Sequence, residues 1–181
     1  MKHMGIFLGI SSLVGALSAN LYAATNSSQV TYGGTLVAEP CEIVPEFENF
    51  SVEFNSISTK ELYSNSRILS KEFELQLKDC DASIANSVTT IFNGNATPDG
   101  LLEFDANSEA SGAAIGIETL SGVKLPLNPT SGVSYPSQPI KNGAMTIRLR
   151  AYLQGKAGAI ANNSIKPGNF SATMTYTLSY Q

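Results

Sequence analysis

The final stretch of the chain, residues 170–180, alternates strictly between apolar and polar side chains. Ser or Thr occupies its odd-numbered positions, and apolar or aromatic residues occupy its even-numbered positions: Phe170, Ala172, Met174, Tyr176, Leu178 and Tyr180. Because successive side chains of a strand point to opposite faces, this pattern predicts an amphipathic β-strand with one apolar face. Chain ends fray unless something ties them down, so we expect this strand to pair with a sheet and to have its apolar face covered.

The same two-residue period recurs upstream and predicts an all-β protein. Besides the terminal strand, the clearest predicted strands span residues 50–54, 71–77, 88–92, 115–120 and 145–153. Turn residues recur about every eight to twelve positions, which is typical of a β-sandwich. Residues 105–113 and 155–167 are predicted to be exposed loops, and residues 58–70 could form either a short helix or a turn.

The chain begins with a segment that is typical of a secretory signal peptide. Lys2 precedes an apolar stretch over residues 5–21, and the small residues Ala23 and Ala24 follow. We predict a signal peptide over residues 1–23, cleaved after Ala23. The alternative is an uncleaved membrane anchor, but the apolar stretch is broken by Gly, Ser and Asn and barely reaches spanning length. No later segment is apolar enough to span a bilayer, so we expect no membrane insertion of the exported protein.

Removal of residues 1–23 leaves about 158 residues, enough for one domain with a substantial core. Since Lys2 is the only Lys or Arg in the removed segment, the formal net charge changes from −4 to −5. Basic residues are not clustered along the mature chain. Binding to nucleic acid or to an anionic membrane surface is therefore not expected.

Cys41 and Cys80 are the only cysteines, and the only histidine, His3, lies in the predicted signal peptide. An even pair of cysteines in an exported chain indicates a disulfide. The alternative, two separate reactive thiols, would need an activating His or basic neighbour. A bridge that closes a loop of about 40 residues would stabilise the fold by roughly 4 kcal/mol on the chain-entropy model.

The mature chain lacks a side chain on which many enzymes and zinc sites depend. Without histidine it can form neither a His-dependent catalytic triad nor a His-ligated zinc site. Two close acidic pairs remain, Asp79 with Asp81 and Glu103 with Asp105. Such neighbours are more typical of solvated surface charge than of a catalytic dyad. We therefore predict that the protein is not an enzyme, has no catalytic or metal-binding residues and uses no cofactor.

A second alternating segment lies near the start of the mature chain. Val30, Tyr32, Gly34 and Leu36 alternate with polar or small residues shortly before Cys41. This segment precedes the first residue that a disulfide would anchor. The pattern is compatible with an ordinary first strand of the sandwich and with an arm that pairs elsewhere.

Three segments together resemble the fimbrial (pilin) subunits of the chaperone–usher pathway of Gram-negative bacteria. They are VTYGGTLVAEPCEI at residues 30–43, FELQLKDC at 73–80 and PGNFSATMTYTLSYQ at 167–181. The family's pattern is an alternating arm with a Gly shortly before the first Cys, an apolar strand that runs into the second Cys, and a C-terminal strand. That last strand begins near a Gly and ends with a penultimate Tyr. Each motif is weak alone, but all three occur here in the family's order and at its spacing.

The resemblance implies an incomplete immunoglobulin-like β-sandwich that lacks its last strand. In that family, an apolar groove runs along the terminal strand, where a periplasmic chaperone first lends a strand and the arm of the next subunit later replaces it at an outer-membrane usher. By this comparison, residues 24–38 form the donor-strand arm and residues 39–181 form the pilin domain. The residues that would enter a neighbour's groove are Val30, Tyr32, Gly34 and Leu36. The residues that would form the acceptor groove and bind the chaperone are Gly168, Phe170, Ala172, Met174, Tyr176, Leu178, Tyr180 and Gln181.

The function implied by the resemblance is that of a structural subunit of an adhesive fimbria. Such a subunit is exported through the periplasm, and its partners are the chaperone, the usher and neighbouring pilin subunits. The alternative within the same family is a receptor-binding adhesin, which carries an extra lectin domain ahead of the pilin domain and lacks the arm. A third class, an exported enzyme or inhibitor of unrelated function, is disfavoured by the missing histidine and by the three motifs.

Overall fold

The computed structural model describes residues 27–130 and 135–181, except for the side chains of residues 69 and 70. The chain divides into two units, one that ends at Leu36 and one that spans Val37–Gln181. In the first unit, residues 27–36 adopt neither helix nor strand, and their side chains are exposed. The predicted signal peptide, residues 1–23, lies outside the described residues, and the predicted bounds of the arm and the pilin domain stay a prediction.

The second unit is built from antiparallel strands, as the sequence predicts. In chain order, the strands within the described residues are β1 (Glu42–Ile43), β2 (Arg67–Cys80), β3 (Ser87–Gly94), β4 (Ala113–Thr119), β5 (Gln138–Pro139), β6 (Gly143–Gly155) and β7 (Met174–Tyr180). A four-stranded sheet has the order β1-β2-β6-β4, and a three-stranded sheet has the order β5-β3-β7. Two short helices, α1 (Thr59–Asn65) and α2 (Ala157–Ala161), and a 3-10 turn (Pro45–Phe47) complete the unit.

The hydrophobic core is formed by the alternating side chains that these strands turn inward. Leu75 and Ile147 lie directly opposite each other on β2 and β6, and both are almost completely buried. Leu149 of β6 and Ile117 of β4 extend the same layer, and Phe92 of β3 belongs to the same cluster of buried side chains. The period-two pattern in the sequence therefore predicted the strands β2, β3, β4 and β6 and, for β2 and β6, the faces that turn inward.

The predicted disulfide between Cys41 and Cys80 is confirmed. The bond ties the chain just before β1 to the end of β2, and the Asp81 amide adds a hydrogen bond of 2.7 Å to the Pro40 carbonyl. Both cysteines are buried. These two links therefore attach the beginning of the second unit to the four-stranded sheet.

Several predicted boundaries need correction. The undecided segment 58–70 contains α1 and then the first residues of β2, and the predicted loop 155–167 contains α2. The predicted terminal strand pairs with another strand only from Met174 onward, because β3 ends at its partner Gly94.

The predicted strand over residues 50–54 is wrong. The segment 49–57 contains no strand, and none of its atoms forms a hydrogen bond to another described residue. The alternation of its side chains is nevertheless present, because Val52 and Phe54 are half-buried whereas Ser51 and Glu53 are exposed. A strand needs a partner at hydrogen-bonding distance in addition to an alternating sequence, and no strand of the described chain lies beside this segment.

A second cluster of buried side chains lies on the outer face of the four-stranded sheet. Tyr152 of β6 points outward yet is 0% exposed, because it lies over Gly116 of β4 and packs with Leu101. The Arg67 guanidinium lies 3.5 Å from the centre of the Tyr152 ring and forms an ion pair of 2.5 Å with the buried carboxylate of Glu118. A cation over an aromatic face and a paired buried charge both require close packing to be favourable, so this cluster depends on the absence of a side chain at Gly116.

We expect Gly116→Ala to destabilise the protein by about 1–3 kcal/mol, because the new methyl group would overlap the Tyr152 ring. The free energy of unfolding, measured by urea titration, tests this. Gly158→Ala is the matched control, since a side chain there enters open space on α2, and its unfolding free energy should stay the same or rise. Equal effects of the two substitutions would contradict the proposed packing.

Candidate functional site

A long groove runs along β7, between this strand and residues 37–57. It has two compartments, one beside the C-terminal end of β7 and one that extends back to Gly168. Glu48 and Tyr176 border both compartments. The floor of the second compartment consists of apolar side chains of both sheets: Phe73, Leu75, Phe92, Leu102, Ile115 and Ile117. The groove therefore opens directly onto the hydrophobic core.

The backbone of β7 forms hydrogen bonds along one edge only. β7 is an edge strand whose partner is β3, and Gln181 exchanges two hydrogen bonds of 3.0 Å with Ser87. Because hydrogen-bonded and non-hydrogen-bonded pairs alternate in an antiparallel ladder, the odd-numbered residues of β7 bond to β3. The N–H and C=O groups of the even-numbered residues point to the other edge. Within the described residues those groups have no backbone partner.

The residues before β7 are held on the same edge by a loop in place of a strand. The Asp105 amide donates to the Ser171 carbonyl at 2.8 Å, and the Asp105 carboxylate accepts from the Thr173 amide and hydroxyl at 3.2 Å each. Farther back, the Glu109 carboxylate accepts from the Asn169 amide at 3.1 Å. The loop thus continues the role of β3 beyond its end, and the groove-facing edge stays free along the whole segment.

Gly168 lies where this segment turns toward the groove. Its φ angle is +148°, and a Cβ atom there would lie 2.5 Å from the Glu109 Cβ. Only glycine meets both conditions without a shift of the loop. The structure thereby gives a local reason for a glycine at the point where the terminal alternating segment begins.

The apolar face of the terminal segment forms one wall of the groove. The side chains that the sequence predicts for this surface are brought together there and are half-buried: Phe170, Ala172, Met174, Tyr176, Leu178 and Tyr180. Gly168 and Gln181 lie at the two ends. Phe170 stacks on Phe104, with ring centres 4.5 Å apart. Its ring centre lies 6.1 Å from that of Phe54 on the opposite wall. The groove is therefore lined by apolar surface that is only partly covered.

Two tyrosines of β7 reach across the groove to the opposite wall. The Tyr176 hydroxyl donates to the Phe47 carbonyl at 2.7 Å, and the Tyr180 hydroxyl donates to the Cys41 carbonyl at 3.4 Å. Burial raises the pKa of both hydroxyls, so they remain protonated donors at neutral pH. The sequence does not identify these contacts, because the carbonyls lie more than a hundred residues away in the chain.

The sequence analysis also missed the part that residues 49–57 play as a groove wall. Phe50 contacts Phe73 of β2 at 6.0 Å, and Phe54 contacts Phe170 across the groove. The signal was present as the alternation that predicted a strand.

The acidic pairs considered in the sequence take part in structural contacts. Asp81 accepts from the amide and hydroxyl of Ser83, which lowers its pKa, and Glu103 pairs with Lys156. Among the described residues, no group of His, Cys, Asp and Glu side chains is arranged to hold a metal ion. The described helices also include none that is long and apolar enough to cross a membrane.

The four residues predicted to enter a neighbour's groove lie in the first unit. Val30, Tyr32 and Leu36 are 67%, 90% and 102% exposed, and a side chain at Gly34 would meet open space. None of them belongs to a strand. Their assignment as a donor strand stays a prediction.

Known fimbrial proteins resemble this chain over most of its length. The model of the fimbrial protein family matches residues 17–181. The Fimbria A protein of Serratia marcescens is 32% identical over 96% of this chain and 92% of its own length. The Major MR/P fimbria protein of Proteus mirabilis (strain HI4320) is 31% identical over 100% of this chain and 99% of its own. The crystal structure of the P pilus rod subunit PapA shares the fold, with a TM-score of 0.67, 19% identity and coverage of 79% of this chain and 100% of PapA.

We expect Asp105→Ala to loosen the segment before β7 and to lower the unfolding free energy by about 1 kcal/mol, since two exposed hydrogen bonds to Thr173 are lost. Hydrogen exchange at the Thr173 amide should speed up, whereas exchange at Thr177, which pairs with β3, should not change. Asp99→Ala removes an exposed carboxylate for which the described residues show no hydrogen bond, and it serves as the control. Unchanged exchange at Thr173 in the Asp105 variant would contradict the tethering role of the loop.

Proposed function

We propose that this chain, which belongs to the fimbrial protein family and is a structural subunit of a cell-surface pilus, is assembled by strand addition into the groove along β7. In this proposal a periplasmic chaperone first fills the groove with one of its own strands. The N-terminal arm of a neighbouring subunit replaces that strand at an outer-membrane usher. The predicted signal peptide over residues 1–23 would direct the chain to the periplasm.

One observation carries the proposal: on both sides of the groove, backbone N–H and C=O groups have no hydrogen-bond partner among the described residues. The free edge of β7 offers the N–H and C=O groups of Met174, Tyr176, Leu178 and Tyr180, and the segment 49–57 forms no hydrogen bonds with any residue that the structure describes. A strand laid between them could hydrogen-bond on both sides and bury apolar side chains on the floor. An exposed apolar edge also promotes aggregation, which explains why such a subunit would need a chaperone before assembly.

The arm has the composition that such a groove requires. Val30, Tyr32 and Leu36 of a neighbouring subunit would point to the floor, and their burial would contribute on the order of 5–8 kcal/mol before ordering costs. Gly34 would lie where the groove is too shallow for a side chain. The exposure of these apolar residues in the first unit supports this role, because exposed apolar patches commonly mark interaction sites.

The comparisons favour a structural subunit over the alternative of a receptor-binding adhesin. Fimbria A protein and the Major MR/P fimbria protein match this chain over nearly their full lengths, so the chain has the size of those proteins. The alternating pattern of residues 30–36 favours the same choice, since an adhesin of the kind considered above lacks the arm.

We expect a synthetic peptide of residues 24–38 to displace the chaperone from an acceptor subunit, followed by native gel electrophoresis. The acceptors are this subunit and those encoded beside it, since the matching groove need not be its own. A Gly34→Arg peptide should fail, because a charged side chain would enter an apolar groove at a cost of several kcal/mol. Gly33→Arg is the matched control, since position 33 faces the opposite side of the same strand and should tolerate arginine.

Three results would count against the arm assignment. Failure of the unmodified peptide on every acceptor would contradict donor-strand exchange by this arm. Blockage by Gly33→Arg with tolerance of Gly34→Arg would show that the register is shifted by one residue. Unfolding of a subunit that lacks residues 24–37 would show that the arm is an ordinary strand of its own domain.

We expect Tyr180→Asp to abolish copurification of the subunit with its periplasmic chaperone, because the charge would enter the apolar groove. Thr175→Asp is the control, since Thr175 is exposed and lines neither compartment of the groove. Pull-down from periplasmic extracts measures the stoichiometry, which should be one to one for the unaltered chain. Normal recovery of the Tyr180 variant with chaperone bound would exclude the terminal strand as the docking surface.

A further inference from the structure

The two compartments of the groove meet at Tyr176, whose hydroxyl donates to the Phe47 carbonyl at 2.7 Å. Phe47 is the last residue of the 3-10 turn Pro45–Phe47, and residues 49–57 continue directly from it as the wall of the groove. The hydrogen bond therefore joins β7 to the point from which this wall extends. It spans the space that a strand bound along β7 would occupy.

Apart from the Tyr176 hydrogen bond at its base, the wall is held by apolar contacts. Residues 49–57 form no hydrogen bonds within the described chain, and the aromatic contacts of Phe50 with Phe73 and of Phe54 with Phe170 are both about 6 Å between ring centres. Apolar contacts of this kind are non-directional and allow a segment to slide or lift. A hydrogen bond at the base of the wall is directional and fixes its position.

The second cross-groove contact does not have the same effect. Tyr180 donates to the Cys41 carbonyl at 3.4 Å, a long bond, and Cys41 is already fixed to β2 by the disulfide. Loss of the Tyr180 bond would leave that end of the groove in place. Phe47 lies in the 3-10 turn, where its amide donates to the Val44 carbonyl at 2.8 Å, and residues 49–57 beyond the turn have no hydrogen bond within the described chain. The Tyr176 bond therefore joins β7 to the turn from which the wall extends.

The Tyr176 hydroxyl is suited to a persistent bond. Its side chain is half-buried in the groove, and burial together with the nearby Glu48 carboxylate raises its pKa. The hydroxyl therefore stays protonated and able to donate throughout the neutral pH range. A phenylalanine at this position would keep the ring and its apolar contacts but would lose the bond.

We propose that the hydrogen bond from Tyr176 to the Phe47 carbonyl is a latch that holds the start of the wall, residues 49–57, against β7 and slows entry of the incoming strand into the groove. The proposal rests on the proposed function, since it concerns how fast the groove accepts a strand. A strand that pairs with the free edge of β7 at Met174, Tyr176 and Leu178 has to separate β7 from the wall. Among the residues that the structure describes, the latch is the one hydrogen bond that crosses the middle of the groove, and this separation breaks it.

The first test measures the wall itself and needs no added strand. The mature chain carrying Tyr176→Phe and the unaltered chain are digested briefly with an aromatic-specific protease, and cleavage after Phe50 and Phe54 is followed by mass spectrometry. We expect cleavage there to be roughly fivefold faster in the variant, the change that corresponds to one net hydrogen bond of about 1 kcal/mol. Cleavage after Phe92, a buried core residue, reports global unfolding and should stay slow.

Tyr135→Phe is the matched control. Tyr135 also donates to a backbone carbonyl, that of Pro126, but neither residue lines the groove. Its removal should leave cleavage after Phe50 and Phe54 unchanged. Equal cleavage in the Tyr176 and unaltered chains, or acceleration at Phe92 to the same degree, would overturn the latch.

The second test measures strand entry with a fluorescent peptide of residues 24–38 and the same proteins at a concentration at which the chain is monomeric. We expect uptake by Tyr176→Phe to be several-fold faster than uptake by the unaltered chain or by Tyr135→Phe. Equal or slower uptake would overturn the latch while leaving the proposed function intact, since a slower rate would make Tyr176 a strut that keeps the groove open. No uptake by any of the proteins would contradict acceptance of this arm by this groove, and the protease result would then decide alone whether the wall is latched.

Discussion

A β-strand has two hydrogen-bonding edges, and in this protein the last strand has a partner on only one of them. β7 pairs with β3, and the loop at Asp105 extends that pairing backward to Asn169. The groove, and the function proposed for it, depend on the other edge. Because it carries backbone groups without a partner among the described residues beside an apolar floor, this edge is open to a further strand. The protein is a structural pilus subunit, and the binding site proposed for it is this edge of β7.

The rest of the structure confines the unpaired edge to the groove. The four-stranded sheet is fully paired internally, and the disulfide fixes the start of the groove wall to the end of β2. The wall ends at α1, where Leu62 is buried in the core. Between these two anchors, residues 49–57 contact the core through apolar side chains and form no hydrogen bonds within the described chain. A segment with few directed contacts is expected to belong to the least stable part of a fold.

The outer face of the four-stranded sheet also carries a large apolar ring, but there other side chains cover it. Tyr152 lies on the outward side of β6, where a large apolar ring would ordinarily be exposed, but Arg67, Glu118 and Leu101 enclose it. There the chain supplies its own cover. Along β7 it supplies only residues 49–57, which contact the groove without pairing with it. The difference between a closed surface and an open one thus depends on whether the covering segment can complete its hydrogen bonds.

The sequence by itself determined which side chains face inward, because strand periodicity is a local property. The alternation at residues 170–180, the inward faces of β2 and β6 and the pairing of Cys41 with Cys80 followed from residue order and compartment, and the structure agrees with each. The partner of each alternating segment was decided only by the tertiary structure. Residues 50–54 have the pattern of a strand and form none, and the bond from Tyr176 to Phe47 joins residues that no local pattern connects. Side-chain alternation specifies a face of a strand, but hydrogen bonding specifies its edges, and the groups that meet an edge come from distant parts of the chain or from another molecule.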